Sequence, residues 1–439
     1  MIKKILYSNT SWSLISNGAT AFLGFVNLAL VARLYTKDDA GKWFMLLTVY
    51  TLLDLLRNGM VQTPFVRYFT VANDDAQRSK LIAASWQLML VITLLAAAVA
   101  LPFAWFFRSG QSAFSLVKTH LPLWLLAALP YQLLQWQLQG RMLFKKLGLI
   151  RLVFPVTFAV LLVTGAHYKF NINLMAVSYA VLQLMAGVTG LLLGWLKLGN
   201  WIKPVGVERK LLLGFGKYSM FTMVAAGLLR SSDQFMIAAW LGPAAVATYS
   251  IPQKLIEAIE IPVRSFAVIA MPRATQLWEQ LKFAELRTYF YKECGLLTVM
   301  ILPLLLTFFC FPGFIVGLIG GSKYQGSSIL LQIFCFYAAL IPLDRYCGVL
   351  LDAGNQPRKN TIKVVGMLVV NLFFDWLALT TGAGLFGVAA GSTITFLFGI
   401  IAGWIQLKDV LQGFKAKLLW KEGMRQPLQV INHYLPAKA

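Results

Sequence analysis

The stretch "LMAVSYAVLQLMAGVTGLLLGWL", residues 174–196, contains no charged side chain. Wound as a helix at 1.5 Å per residue, it crosses the roughly 30 Å hydrocarbon layer of a bilayer. Charge-free stretches of comparable or greater length occupy residues 11–32, 81–107, 295–322, 324–343 and 376–407. The last is long enough for a loop and part of a further span. Amphipathic but still apolar runs near 44–64, 120–138, 147–166, 212–240, 250–270 and 362–380 bring the expected total to about twelve helices. A transmembrane barrel would show alternating segments of about ten residues, which these continuous runs exclude. The expected fold class is therefore an all-α integral membrane protein in which almost nothing is left over for a soluble domain. The composition agrees: 439 residues, 58% hydrophobic and 13% charged.

The formal net charge is +22. The basic residues are dispersed through short connections with no aromatic interleaving, which argues against nucleic acid and for a topology signal. With the N-terminus inside, alternate connections and both ends hold 27 Lys and Arg, including Lys3, Lys4, Arg78, Arg141, Lys197, Lys203 and Lys363. The other side holds 7: Arg33, Lys37, Lys42, Arg108, Lys118, Lys169 and Lys323. This asymmetry predicts an even number of spans with both termini cytoplasmic. The opening "MIKK" and its long apolar sequel read as a retained first helix and not as a cleaved leader. Cys294, Cys310, Cys335 and Cys347 lack metal or redox spacing and are expected to be buried free thiols.

An internal repeat is visible when "AALPYQLLQWQLQGRMLFKK", residues 127–146, is set beside "AALIPLDRYCGVLLDAGNQPRK", residues 338–359. Pro130 and Pro342 are 212 apart, Gly140 and Gly354 are 214 apart, and basic pairs follow both. A fainter copy relates Asp54, Arg57, Pro64 and Arg67 to Glu260, Arg264, Pro272 and Arg273. The repeat is about six helices long, so its copies keep one orientation, as in parallel-repeat transporters with a pseudo-twofold along the membrane normal. The expected organisation is a six-helix bundle over residues 1–199, a cytoplasmic linker over 200–211, a second six-helix bundle over 212–408, and a basic cytoplasmic tail over 409–439.

Five basic residues fall at membrane depth: Arg57, Arg230, Lys254, Arg264 and Arg345. A buried charge in a span costs several kcal/mol unless it is paired or faces water, so such residues line cavities or tie helices together. Asp54 and Arg57, and Arg230 and Asp233, share helix faces at i,i+3. Lys254, Glu257, Glu260 and Arg264 form one polar stripe on the eighth helix, which Pro252 and Pro262 can kink. Asp344 precedes Arg345, and Asp375 lies one helix further on. The acids are expected as ion-pair or coupling partners. His120, His167 and His433 are scattered, and no catalytic motif, metal-ligand set or cofactor fingerprint is present. The chain reads as a transporter and not as an enzyme.

The stretch "SSDQFMIAAWLGPAAVATYSIPQKLIEAI", residues 231–259, resembles the start of the second half of Wzx-type O-antigen flippases. These belong to the multidrug, oligosaccharidyl-lipid and polysaccharide (MOP) exporter superfamily. The stretches "LVARLYTKDDAGKWFMLLTVYTLLD", residues 30–54, with its small-plus-aromatic turn at Gly41 to Trp43, and "GSKYQGSSILLQIF", residues 321–334, are similar to the same family. The resemblance implies two six-helix bundles around a cavity that alternately opens to each side. It implies a flippase for a polyprenyl diphosphate-linked oligosaccharide, acting in the bacterial inner membrane in O-antigen or other surface-polysaccharide biosynthesis, alongside polymerase and chain-length machinery. Arg57, Arg230, Lys254, Arg264 and Arg345 are the positions that would bind diphosphate, arginine doing so through its two-pronged donor geometry. Related lipid II flippases often carry basic residues in helix one and two additional helices. Here residues 11–32 carry no charge and the chain stops soon after helix twelve, which argues against a peptidoglycan precursor. The alternative is a multidrug and toxin extrusion (MATE) antiporter, which would need an acidic cavity. A non-transporting scaffold or polymerase partner is the third class.

Overall fold

The computed structural model describes residues 9–72, 74–106, 112–199, 205–413 and 417–425. Lys3, Lys4, Arg108, Lys203, His433, part of the 200–211 linker and most of the tail lie outside the described residues. The chain is helical throughout: α1 Asn9–Leu34, α2 Lys37–Arg57, a π turn Asn58–Gln62, α3 Thr63–Val71, α4 Asp75–Phe106, α5 Ser115–Gly140, α6 Phe144–His167, α7 Ile172–Leu192 and α8 Gly206–Trp240. It continues with α9 Pro243–Glu279, α10 Phe283–Cys310, α11 Pro312–Gly320, a 3₁₀ turn Ser322–Ser327, α12 Ser328–Ala353, α13 Pro357–Thr380, α14 Gly384–Gln406 and α15 Lys408–Leu411. Contacts divide the chain into two compact units, residues 1–247 and 248–439, with the division inside α9.

Ten helical segments among the described residues are long and apolar enough to cross a membrane, counting α2 through α3 as one. The two further long helices, α5 and α9, are 26 and 37 residues and more polar. In α5 the reason is burial: Gln132 and Gln137 are shielded by protein and need no lipid-compatible surface. The outer helices show the complementary pattern. On α6, Leu149, Val153, Val156, Val160 and Val163 recur at steps of four and three, each 45–57% exposed. In water such a stripe would be a liability; here it is the face offered to lipid.

The helices are fastened where backbone groups are released. Pro155 in α6 cannot donate to the carbonyl four residues back, Arg151 O, and Thr20 Oγ1 of α1 donates to that oxygen at 3.3 Å. Asn27 Nδ2 donates to Pro155 O at 3.0 Å one helical stretch away. The turns repeat as the helices do. Both α5 and α12 have 26 residues and start 213 positions apart, and α6 and α13 have 24 each at the same offset. Met142 and Asn355, also 213 apart, take left-handed φ of 57° and 54°. In both turns the following amide donates back across six residues, Leu143 N to Leu138 O and Gln356 N to Leu351 O, each at 2.9 Å. Cys294, Cys335 and Cys347 are buried free thiols, but Cys310 is exposed at the end of α10, which corrects its expected burial.

Gly41 of α2 explains the small residue before Trp43. A Cβ built there would lie 1.7 Å from Pro243 O, a backbone atom at the start of α9. Gly41→Val therefore pushes α2 off this contact. The expected outcome is a loss of about 1–3 kcal/mol or more of stability, read as a lower thermal midpoint of the purified protein in detergent; an unchanged midpoint refutes the packing constraint.

Candidate functional site

In unit 1 the site is built around Arg57, the last residue of α2 before the π turn. Its side chain has no solvent exposure, and Nη2 meets Asp54 Oδ1 at 2.9 Å. Nη1 donates to Leu125 O of α5 at 2.9 Å and to Thr93 Oγ1 of α4 at 3.5 Å. Leu125 lies just ahead of Leu126, whose carbonyl Pro130 leaves without its helical donor. The guanidinium lies 5.7 Å from the centre of the Tyr50 ring. Asp54, partly exposed, also accepts from Asn58 Nδ2 at 3.1 Å and from Gln132 Nε2. The Tyr50 hydroxyl accepts from Gln132 at 3.2 Å and Gln183 at 3.3 Å. Beside this network, Trp43, Trp124, Phe158 and Tyr179 pack ring against ring, with centroids 4.3–5.7 Å apart in pairs such as Trp124 with Tyr179 at 4.3 Å. Arg57 thus holds α2, α4 and α5 together, and the part of the pair open to a visitor is the carboxylate.

Helix α8 belongs by its contacts to the same unit. Arg230 is exposed, whereas Asp233 is only 6% exposed between the buried Ser232 and Gln234. Thr48 Oγ1 of α2 donates to Gln234 Oε1. Of the two, Arg230 is thus the exposed member and Asp233 the buried one.

Among the described residues of unit 2, three ion pairs lie along α9, α12 and α13, apart from the exposed pair Lys282–Glu285. Lys254 Nζ lies 2.7 Å from Glu257 Oε2, and Arg264 Nη2 lies 3.6 Å from Glu260 Oε2, both pairs along the α9 stripe. The third joins α13 to α12: Lys363 Nζ lies 2.7 Å from Asp344 Oδ1 and also donates to Asp344 O at 3.1 Å. A cavity of about 450 Å³ opens here, lined by Arg264, Asp344, Arg345, Asp352, Asn360 and Lys363 among others. Three cations face two carboxylates in that space, and Asn360 Nδ2 donates to both oxygens of Asp352 at 3.0 Å. Arg264 and Arg345 are thereby brought together, while Lys254 lies elsewhere on α9. Asp375 is fully buried and accepts from Asn371 Nδ2 at 3.1 Å; Asn371 Oδ1 accepts from Thr395 Oγ1 of α14 at 3.0 Å. No group of three His, Cys, Asp or Glu able to hold a metal ion occurs among the described residues.

Residues 6–278 match the family model described as "Polysaccharide biosynthesis protein", more than half of the chain. The chain belongs to that family. Residues 219–377 also match the MatE model. An uncharacterized membrane protein of Methanocaldococcus jannaschii is 22% identical over 92% of this chain and 83% of its own length. A protein named as an O-antigen transporter in Shigella flexneri is 21% identical over 77% of this chain and 84% of its own. Among solved structures, an inward closed lipid II flippase MurJ superposes with a TM-score of 0.74 at 13% identity, covering 97% of this chain and 93% of the other. An inward-facing MATE family transporter of the MOP superfamily gives 0.70 at 14% identity, covering 90% and 96%. The fold is that of the MOP superfamily, and the protein is a multi-pass membrane transporter of that group.

For this polysaccharide-family protein, Lys363 is the residue that sequence reasoning misplaced. It was counted with the cytoplasmic connection, yet it lies six residues inside α13, almost fully buried on Asp344. Its signal was the helix start at Pro357, which puts position 363 more than a turn beyond the loop. Gln132 and Gln183 were also passed over, though each is a long polar side chain inside an apolar run. A stability contrast follows from the Arg57 network. Arg57→Ala leaves Asp54 uncompensated and is expected to cost about 3–5 kcal/mol, whereas Arg57→Met with Asp54→Leu recovers much of the loss. Denaturation of the two variants in matched detergent measures the difference, and equal stability of Arg57→Ala and wild type contradicts it.

Proposed function

We propose that the protein is a flippase that carries a polyprenyl diphosphate-linked oligosaccharide from the cytoplasmic to the outer leaflet by alternating access, in surface-polysaccharide synthesis of the O-antigen kind. The observation that carries this reading is the unit 2 cavity, where Arg264, Arg345 and Lys363 outnumber Asp344 and Asp352. A diphosphate is a dense, planar-faced anion, and guanidinium groups answer it with paired donors and fixed charge. Arg230 on α8 and Lys254 on α9 add cations that the head group can meet as it moves. The family match and the Shigella relative point to the same class of cargo. An inside-negative potential favours outward movement of an anion by ~2.3 kcal/mol per charge per 100 mV, so transport needs no nucleotide.

The test is complementation of a strain lacking its own flippase, scored by surface polysaccharide and by accumulation of the lipid-linked intermediate. Arg264→Ala, Arg345→Ala and Arg230→Ala, at wild-type membrane levels, are expected to lose export at least tenfold. Lys323→Ala, beyond the cavity, is expected to keep it. Equal export by all four removes the cationic site from the mechanism.

A second reading, the MATE-type antiporter, draws on the MatE match and on the buried Asp375 with its Asn371 and Thr395 neighbours. The two readings part on cargo, since an organic cation would be repelled by the Arg264–Arg345–Lys363 surface. Within the flippase reading Asp375 serves as a coupling carboxylate. Asp375→Asn is then expected to abolish any response of transport to an imposed proton or sodium gradient in proteoliposomes while leaving the response to membrane potential. Retention of the gradient response in Asp375→Asn rules the coupling role out.

A further inference from the structure

At the basic end of unit 1, away from the ion pairs described above, α3, the start of α4, the end of α5 and the strap 193–199 enclose a second cavity of about 740 Å³. It sits about 20 Å along the helix axis from Arg57, the distance that thirteen residues of helix cover between Arg57 and Thr70. Its walls carry Arg78, Arg141 and Lys197 with the hydroxyls of Thr70 and Ser79, and one acid, Asp75. Asp75 is fully exposed and meets Arg78 at 3.5 Å, so it neutralises little of the charge.

The cavity is constructed and not a chance gap between loops. Arg141 spends two of its donors on fixed acceptors, Trp195 O and Gln137 Oε1, each at 3.0 Å. A guanidinium has five N–H donors, so this one is oriented with donors to spare. Gln137 clamps the strap from both sides: its Nε2 donates to Lys197 O at 2.7 Å, and its Oε1 accepts from Lys197 N at 2.9 Å. Trp86 Nε1 donates to the same Lys197 carbonyl at 3.2 Å. The Lys197 backbone is therefore pinned while its side chain is exposed. Gly199 completes the wall at φ +73°, where a Cβ would lie 2.7 Å from Ser79 O. An independent sign of a missing partner is Arg78 Nε, which is buried without a hydrogen-bond acceptor. One guanidinium fixed on the strap, a lysine on a pinned backbone and Arg78, over the Phe69 ring with its orphaned Nε, together call for an acceptor-rich anion with several oxygens.

We propose that this cavity is a phosphate-binding site, separate from the unit 2 cavity, that takes a phosphate group on either a lipid head group or a soluble diphosphate. Arg78 and Arg141 supply directed donors and Lys197 the movable charge. The distribution of basic residues assigns this end of the unit to the cytoplasm, where both kinds of phosphate are at hand.

The experiment uses the full-length protein in neutral detergent with two probes. Inorganic pyrophosphate binding is measured by calorimetry, and retention of phosphatidic acid over phosphatidylcholine by native mass spectrometry. Arg78→Gln and Lys197→Gln are compared with wild type and with Arg264→Ala. Each of the first two removes a charged donor and is expected to weaken binding at this site about tenfold, while Arg264→Ala lowers only the binding contributed by the unit 2 cavity and leaves the sensitivity to Arg78→Gln and Lys197→Gln in place. Pyrophosphate binding that weakens in this pattern identifies a soluble ligand. Selective phosphatidic acid retention lost in the same two variants identifies a lipid head group. Absence of both in wild type, or binding indifferent to Arg78→Gln and Lys197→Gln, overturns the proposal; binding sensitive only to Arg264→Ala assigns the anion to the unit 2 cavity and overturns it equally. Arg78→Lys keeps the charge but not the directed donors of the guanidinium, serves as the folding control, and is expected to bind between wild type and Arg78→Gln.

Discussion

Unit 1 depends on the buried Arg57 guanidinium. Removing a guanidinium from water is costly, and only well-placed acceptors on several sides make the burial tolerable. Asp54 supplies the opposite charge from the same helix, and Leu125 O supplies an acceptor from α5. That second bond needs α5 to bring an accepting carbonyl up to α2, next to the Leu126 carbonyl that Pro130 leaves without its helical donor. Tyr50, Gln132 and Gln183 line the space beside the pair with hydrogen-bonding groups, both glutamines donating to the Tyr50 hydroxyl. The aromatic cluster of Trp43, Trp124 and Tyr179 fills the space beside them with rings whose polar tips have partners, as Trp124 Nε1 has in Ala176 O at 2.8 Å.

The same economy governs unit 2 with a different outcome. Lys363 and Asp344 join α13 to α12 as Arg57 joins α2 to α5, but the pair sits at the wall of a cavity and not in packed interior. Burial of the cation on one side and an open space on the other leaves Arg264 and Arg345 facing a volume large enough for a head group. The two cations differ in what surrounds them: the Arg57 side chain has no exposure, whereas Arg264 retains 37% of its side-chain exposure.

How much of this the sequence reveals differs by level. Spans such as 174–196 and 295–322 are legible because the hydrocarbon thickness sets a minimum length that few soluble helices imitate. The repeat is legible at its turns, since the left-handed residues Met142 and Asn355 follow matching Pro and Gly positions at nearly one offset. The π turn at Asn58–Gln62 left no sign, because an extra residue in a helical turn is decided by packing and not by propensity. The side-chain network was half legible. Asp54 with Arg57, and Glu260 with Arg264, announce themselves by i,i+3 and i,i+4 spacing, because both partners lie on one helix. Lys363 with Asp344 does not, because its two halves are 19 positions apart on separate helices and nothing local ties them.

The arrangement of acids beside cations bears on how a diphosphate could both enter and leave. A cavity of bare arginines would hold such an anion tightly, since a pair of unit charges at 4 Å interacts by about 4 kcal/mol at the effective dielectric near a protein surface. On the flippase reading, Glu260 and Asp344 offset that attraction by pairing with Arg264 and Lys363 while the cavity is empty of cargo. Binding then exchanges one set of ion pairs for another, and the net gain is a difference between similar terms instead of a full charge–charge energy. A transporter needs that property, because a site that is deep in free energy stalls with its cargo bound. On the flippase reading proposed above, the mixed sign of the cavity, which at first sight weakens the case for an anionic substrate, is what would allow that substrate to be released on the far side.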